Sequence, residues 1–276
     1  MSCSHNCDTC KSNCKSKTSV IEKLKTARGT SIKKIIGISS GKGGVGKSFV
    51  TSIIASHLQK KGYKCGILDG DILGPSIPRA FGIKVLNIFS NENGLMTPIE
   101  TNSGIKVISS NLMLDDETTP IIYRGSLLSG VIQQFFQEVD YGDLDFLFID
   151  MPPGTGDIPL TFYQSIPIDR VIIVSSPQQL VSMIVKKSIN MAKTMNIEIL
   201  GLVENMSYVV CPKCDEKIEI FGKSDIENIA KQNDTDVLAK IPLNVSWTEI
   251  INNGSIEKLN IPEIDNMINK IENLIK

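Results

Sequence analysis

Residues Ile35–Ser48 read IIGISSGKGGVGKS, an apolar run that ends in a glycine-rich turn and passes straight into a helical pattern over Phe49 to Lys61. A triphosphate needs backbone N–H groups close to its oxygens, and only residues without a Cβ let the chain wrap that tightly. Gly41, Gly43, Gly44 and Gly46 supply the wrap, with Val45 inside it. The helix start turns free N–H groups and a positive dipole end toward the anion. Lys47 adds a point charge and Ser48 a hydroxyl for magnesium. The expected nucleotide contacts are therefore Gly41, Lys42, Gly43, Gly44, Val45, Gly46, Lys47, Ser48 and Phe49, with ATP or ADP as ligand.

The same letters satisfy G-x-G-x-x-G through Gly41, Gly43 and Gly46, so a dinucleotide-binding turn competes. A Lys-Ser pair directly after the last glycine has no duty in such a site, yet it completes G-x-x-x-x-G-K-S. Lys42 is a second lysine that a general phosphate loop does not require. It reads either as a solvated surface charge or as a group that neutralises transition-state charge, as an arginine finger does.

The surrounding composition is that of an ordinary globular chain: 276 residues, 41% hydrophobic and 21% charged, with 29 basic against 30 acidic residues. Such a balance sets up no field that would attract nucleic acid, and no apolar run approaches the ~20 residues of a membrane span. The amino end, MSCSHNCDTCKSNC, lacks the apolar core of a secretory signal, which predicts a reducing, cytoplasmic setting. Six of the seven cysteines fall in two tight clusters, a pattern that points to metal rather than disulfides. Cys65 lies inside an apolar run and reads as a buried core thiol.

Residues 1–31 form a polar arm bearing Cys3, Cys7, Cys10 and Cys14. Four thiols so placed can wrap a 4Fe-4S cluster or a zinc ion. The first three also match the C-x3-C-x2-C of enzymes that cleave S-adenosylmethionine, and a metal-free, reduced tail is the plain alternative. Residues 32–276 alternate short apolar runs with helical patterns, which predicts an α/β fold: a mostly parallel sheet of about seven to eight strands, doubly wound, with helices on both faces. Strands are expected at Lys34–Ser39, Lys64–Asp69, Ile105–Ser109, Asp145–Asp150, Arg170–Ser175, Glu198–Val203 and Val237–Ile241, and helices at Phe49–Lys61, Leu127–Val139, Leu180–Met195 and Ser224–Gln232.

Ligands of such sheets sit beyond the carboxyl ends of the strands. The second strand ends in Asp69-Gly70-Asp71, and Asp71 is placed to orient an attacking water. The fourth ends in Asp150 after four apolar residues, the pattern of an aspartate that holds magnesium through water while Ser48 holds it directly. Helix capping or turn chemistry is the bland reading of both. Asn205 and Pro242 follow later strands, where an amide can pair with an adenine edge and a proline can wall it, although turn chemistry explains either. Arg124 reads as a phosphate or carboxylate contact or as an ordinary surface arginine.

Cys211-Pro-Lys-Cys214 holds two thiolates on one turn, half of a tetrahedral site. A second copy across a two-fold axis would complete it and bridge a cluster; a zinc half-site and a dithiol redox pair are the alternatives. Ile261 to Lys276 forms an apolar helical face. Its mixed-charge polar side favours packing on the body over a lipid surface.

Taken together, GKGGVGKS at 41, DGDILGPSIP at 69, YRG at 123, LDFLFIDMPPGTGD at 144, SSPQQ at 175, ENMSYVVCPKC at 204 and FG at 221 resemble the Mrp/ApbC group of cytosolic iron-sulfur cluster carrier ATPases, deviant phosphate-loop proteins related to MinD and ParA. The likeness runs from about residue 33 to 257. It implies a homodimer that binds ATP on each subunit, holds a labile 4Fe-4S cluster between paired Cys211 and Cys214, and passes it from cluster donors to apo-proteins. It also implies that Lys42 reaches the partner's nucleotide. The alternative is a spatial-organisation ATPase of the MinD or ParA kind, for which both cysteine clusters would be idle.

Overall fold

Alternate residues of a strand face opposite sides of a sheet, and a strand apolar at every position needs cover on both. Phe146-Leu147-Phe148-Ile149 is such a run, and all four side chains are fully buried. Phe146 and Phe148 join one core with Ile36, Ile38, Ile172 and Val174. Leu147 and Ile149 join the other with Ile35, Val171, Phe162 and Tyr163. Two helical layers sandwiching one sheet follow directly.

The computed structural model describes residues 22–72, 74–84, 88–113, 125–178 and 181–276. Its elements run β1 (Ser31–Ser39), α1 (Lys47–Lys60), β2 (Cys65–Asp69), α2 (Ile77–Ala80), β3 (Ile99–Glu100), β4 (Lys106–Ser109), α3 (Gly125–Gln137), β5 (Asp143–Asp150), α4 (Asp157–Ser165), β6 (Arg170–Ser175), α5 (Val181–Thr194), β7 (Glu198–Asn205), β8 (Val209–Val210), β9 (Lys217–Ile218), α6 (Ile226–Gln232), β10 (Val237–Ile241), α7 (Val245–Asn252) and α8 (Asp265–Glu272). Eight strands form one sheet in the order β10-β7-β6-β1-β5-β2-β4-β3, parallel except where the short β3 pairs antiparallel with β4. All seven expected strands are present in this mostly parallel, helix-covered sheet. β3 adds an edge too short to leave a pattern, and β8 and β9 form a separate hairpin around the second cysteine pair.

From β1 the chain winds outward in both directions, with β5 on one side and β6 on the other. The phosphate loop leaves β1 at that switch point, where a crevice opens beyond the strand ends. Register brings Ile38 level with Asp150, and Asp69 level with Asp150 across the next pair.

Two expectations shift in detail. The helix expected from Ile261 begins as α8 at Asp265, because Pro262 is held in a single 3-10 turn first. Met267, Ile268 and Ile271 are buried, so its apolar face packs on the body. α4 carries Pro159 in its first turn, the one place in a helix that tolerates it, and for that reason left no helical signal in the sequence. The end of the expected arm also lies on the body: Leu24 N–H donates to the Ser165 carbonyl at 2.8 Å and Ala27 is buried. Cys3, Cys7, Cys10, Cys14 and Arg124 lie outside the described residues. Among the described residues no helix is long and apolar enough to cross a membrane.

Candidate functional site

The phosphate loop takes its shape from its glycines. Gly46, the residue before α1, has φ +82°, and a Cβ there would stand 2.1 Å from Asn205 Nδ2. Gly41 is crowded from another side, since its Cβ would meet Ile184 Cγ2 at 2.2 Å. No side chain caps α1. Its first N–H groups therefore point into the crevice without an intrahelical partner.

On the first turn of α1, Lys47, Ser48 and Thr51 converge on one carboxylate. Ser48 Oγ donates to Asp150 Oδ2 at 2.6 Å, and Thr51 Oγ1 donates to Oδ1 at 2.7 Å. Lys47 Nζ sits 2.7 Å from Oδ2, off the hydrogen-bonding direction, so its N–H groups have no acceptor among the described residues. Lys47 is 6% exposed and Asp150 0%. A buried ammonium with donors to spare suits an anionic oxygen, and the paired hydroxyl and carboxylate oxygens suit a hard divalent cation. Lys47 and Ser48 thus meet Asp150, distant in the sequence, at one point.

Asp69 belongs to the same cluster, although its position as the last residue of a buried strand drew no attention in the sequence. It is fully buried, accepts from Ser109 Oγ at 3.1 Å and from Asp71 N–H at 3.3 Å, and burial together with the neighbouring Asp150 pushes its carboxyl well above the ordinary range. Asp71 is half-buried, and desolvation raises it as well, against the pull of Lys47. The loops are tied to one another: Gly70 N–H donates to the Asp150 carbonyl at 2.9 Å, and Gly154 N–H to the Ser40 carbonyl at 2.8 Å.

A cavity of about 500 Å³ opens over this cluster, lined among others by Gly43, Lys47, Ser48, Phe49, Asp71 and Arg79. Arg79, on α2, and Ile251 and Asn252, at the end of α7, reach it through tertiary packing, and their sequence neighbourhoods carry no signal of it. Asn205 lies under the loop and donates from Nδ2 to the Val45 carbonyl at 3.0 Å, while Pro242 is buried beyond β10. Lys42 is exposed, and its Nζ donates to Gln178 Oε1 of its own chain at 2.6 Å.

The second cysteine pair sits at the tip of the β8–β9 hairpin. Cys211 N–H donates to the Glu216 carbonyl at 2.9 Å, and Asp215, at φ +57°, closes the turn by donating to the Cys211 carbonyl at 3.0 Å. The Lys213 N–H, helped by the Cys214 thiol and N–H, holds the Cys211 thiol below its ordinary value. Cys214 is exposed, and so are the nearby apolar side chains Val210, Ile218 and Ile220. Cys65 is buried, and burial pushes its thiol far up, which leaves it inert.

Known proteins share this architecture. An iron-sulfur cluster carrier protein of Clostridium perfringens is 47% identical over 247 residues, covering 87% of this chain and 86% of the relative. A nucleotide-binding protein of Archaeoglobus fulgidus, solved in complex with ADP, superimposes with a TM-score of 0.76 at 38% identity, over 84% of this chain and 90% of that one. The cell division ATPase MinD of Pyrococcus furiosus superimposes at 0.60 with 20% identity, over 87% and 97%, a likeness of fold alone. A family model described as the NUBPL iron-transfer P-loop NTPase, of the ParA group, matches residues 31–276, and the chain belongs to that family.

Proposed function

We propose that this protein is an ATP-hydrolysing carrier of iron-sulfur clusters, in which two copies meet at their hairpins and hold one 4Fe-4S cluster as cargo between four thiolates. The observation that carries the reading is the tip of the β8–β9 hairpin. It presents two thiols, one exposed and one half-exposed, ringed by exposed apolar side chains, on the same body as the phosphate loop. Soft thiolate ligands suit an iron-sulfur core, and a two-fold contact turns two ligands into four. Apo iron-sulfur proteins are then the recipients.

Lys47 and the free N–H groups of α1 hold the phosphates. Magnesium would be held by Ser48 and, through water, by Asp150, where it neutralises charge that builds on the phosphates. Asp71 lines the cavity beside Lys47 and orients the attacking water; Lys42, released from Gln178, reaches the partner's nucleotide. Asn205 and Pro242 flank the adenine. Zinc is a second occupant of the thiols in protein purified in air, and the amino-terminal cysteines hold a further cluster or zinc ion. A MinD-like spatial role has only the fold in its favour and leaves the hairpin thiols without work.

The test is anaerobic reconstitution with iron and sulfide, in a background where Cys3, Cys7, Cys10 and Cys14 are all serine. Charge-transfer absorbance and transfer to an apo-protein are followed. Replacing Cys211 and Cys214 by serine is expected to abolish both signals. A double variant that binds and delivers as much cluster as its parent ends the carrier reading.

A further inference from the structure

β7 ends in two consecutive residues that look opposite ways. Asn205 faces the phosphate loop, donates to the Val45 carbonyl, and occupies the space that a side chain on Gly46 would need. Glu204 faces away from it and is 1% exposed. A carboxylate taken out of water must find donors, and the two that Glu204 finds bracket the cysteine hairpin. Ser207 Oγ, upstream of Cys211, donates to Oε1 at 2.5 Å, and Ser224 Oγ, downstream of Cys214, donates to Oε2. Ser224 is fixed in turn by the Ile226 N–H at the start of α6, at 3.2 Å, and Ser207 N–H donates to the Ile241 carbonyl at 2.8 Å. One buried group therefore closes the base of the whole hairpin excursion.

A second line runs to the same point. Glu204 is level with Ser175 at the end of β6, and the loop that follows carries Gln178, the acceptor of Lys42. Gln178, Glu204, Lys223 and Ser224 share a cavity of about 260 Å³, so the loop after β6, whose Gln178 accepts from Lys42 of the phosphate loop, abuts the hairpin's base.

We propose that Glu204 is a positioning residue that couples the phosphate loop to the cysteine hairpin: phosphate binding shifts the Val45–Gly46 backbone, Asn205 follows, and Glu204 alters the access to Cys211 and Cys214. This rests on the nucleotide reading of the loop, but not on what the thiols carry. The two can be tested apart.

The experiment uses the full chain, reduced and freed of thiol-bound metal, with and without saturating Mg-ADP. N-ethylmaleimide is the probe, and peptide mass spectrometry resolves residues 211 and 214 from the amino-terminal cysteines. In the parent, Mg-ADP is expected to change the alkylation rate of Cys214 severalfold. Glu204→Ala is expected to raise the rate about tenfold or more, since two charged hydrogen bonds are lost and each is worth about tenfold or more. Its response to Mg-ADP should vanish while ADP affinity, measured by calorimetry, stays within about twofold of the parent's, a difference under about 0.5 kcal/mol. Glu204→Gln, which keeps the shape and one acceptor, should regain part of the response, as a merely structural loss would not. Should Glu204→Ala fail to fold, Ser224→Ala, which frees only the downstream base, is expected to show the same change in smaller measure. A folded Glu204→Ala or Ser224→Ala protein whose thiols respond to Mg-ADP as the parent's do overturns the proposal. So does a parent that binds ADP with no change at Cys214. Failure of the parent to bind ADP would sink the nucleotide reading and this coupling together, whereas failure to bind a cluster would sink only the cargo.

Discussion

At the scale of single residues, the buried Asp150 carboxylate accepts from Ser48 and Thr51, with the Lys47 ammonium 2.7 Å away, all three from the start of one helix. Thr51→Val keeps the shape and removes one of these donors inside the core. It is expected to lower the unfolding free energy by about 1–3 kcal/mol, read from urea titration. Gly46 is constrained twice, by a left-handed backbone and by Asn205. Gly46→Ala is therefore expected to weaken ADP binding by about a hundredfold or more in calorimetry. The glycines, Lys47 and Ser48 were legible because a phosphate cradle needs those residue types at that spacing. Asp69 was not, since a buried aspartate at a strand end looks like any turn residue until register sets it beside Asp150.

At the scale of elements, α1 is buried on nearly every side and is tied to the C-terminal segment by His57. The His57 Nδ1 lies 2.8 Å from the Ile53 carbonyl, and Nε2 accepts the Ile261 N–H at 3.2 Å, an arrangement that requires the neutral ring. Burial, with lesser help from Lys60, holds its proton affinity below the ordinary value. The unfolded chain takes up that proton near pH 6.5 and the folded chain only at lower pH, so between these two points unfolding is accompanied by proton uptake. Stability from this group is complete above about pH 6.5 and falls as pH drops toward the depressed folded value. His57→Gln is expected to flatten the pH dependence of urea midpoints in that window. Ile271→Ala, at the buried end of α8, should cost about 2–5 kcal/mol and loosen the same segment, measured by thermal or urea unfolding. The helical period of α8 was visible in the sequence; its delayed start was not marked until Pro262 took up a 3-10 turn.

At the scale of the whole molecule, the sheet order places the phosphate loop at the central switch point and the hairpin beside the end of β7. Each chain brings two thiols to the hairpin tip, so the carrier reading makes a stoichiometric statement. Native mass spectrometry of reconstituted protein, in the amino-terminal serine background, is expected to show two chains per 4Fe-4S cluster, and Cys214→Ser to return a cluster-free single chain. One chain per intact cluster would remove the two-fold bridge.

What the chain's letters determined alone was local: which runs are strands, because apolar periodicity reports burial on both faces; where the glycine-rich turn enters a helix, because glycine spacing reports backbone approach; and which cysteines pair up at one place, because C-x-x-C spacing reports thiols on one turn. The tertiary structure decided which of these meet. Asp69 against Asp150, Arg79 over the phosphate loop, and Glu204 across the base of the hairpin are contacts between residues distant in sequence, brought about by strand register and helix packing. Register depends on the sum of many weak pairings along the sheet, so no single stretch of residues announces it.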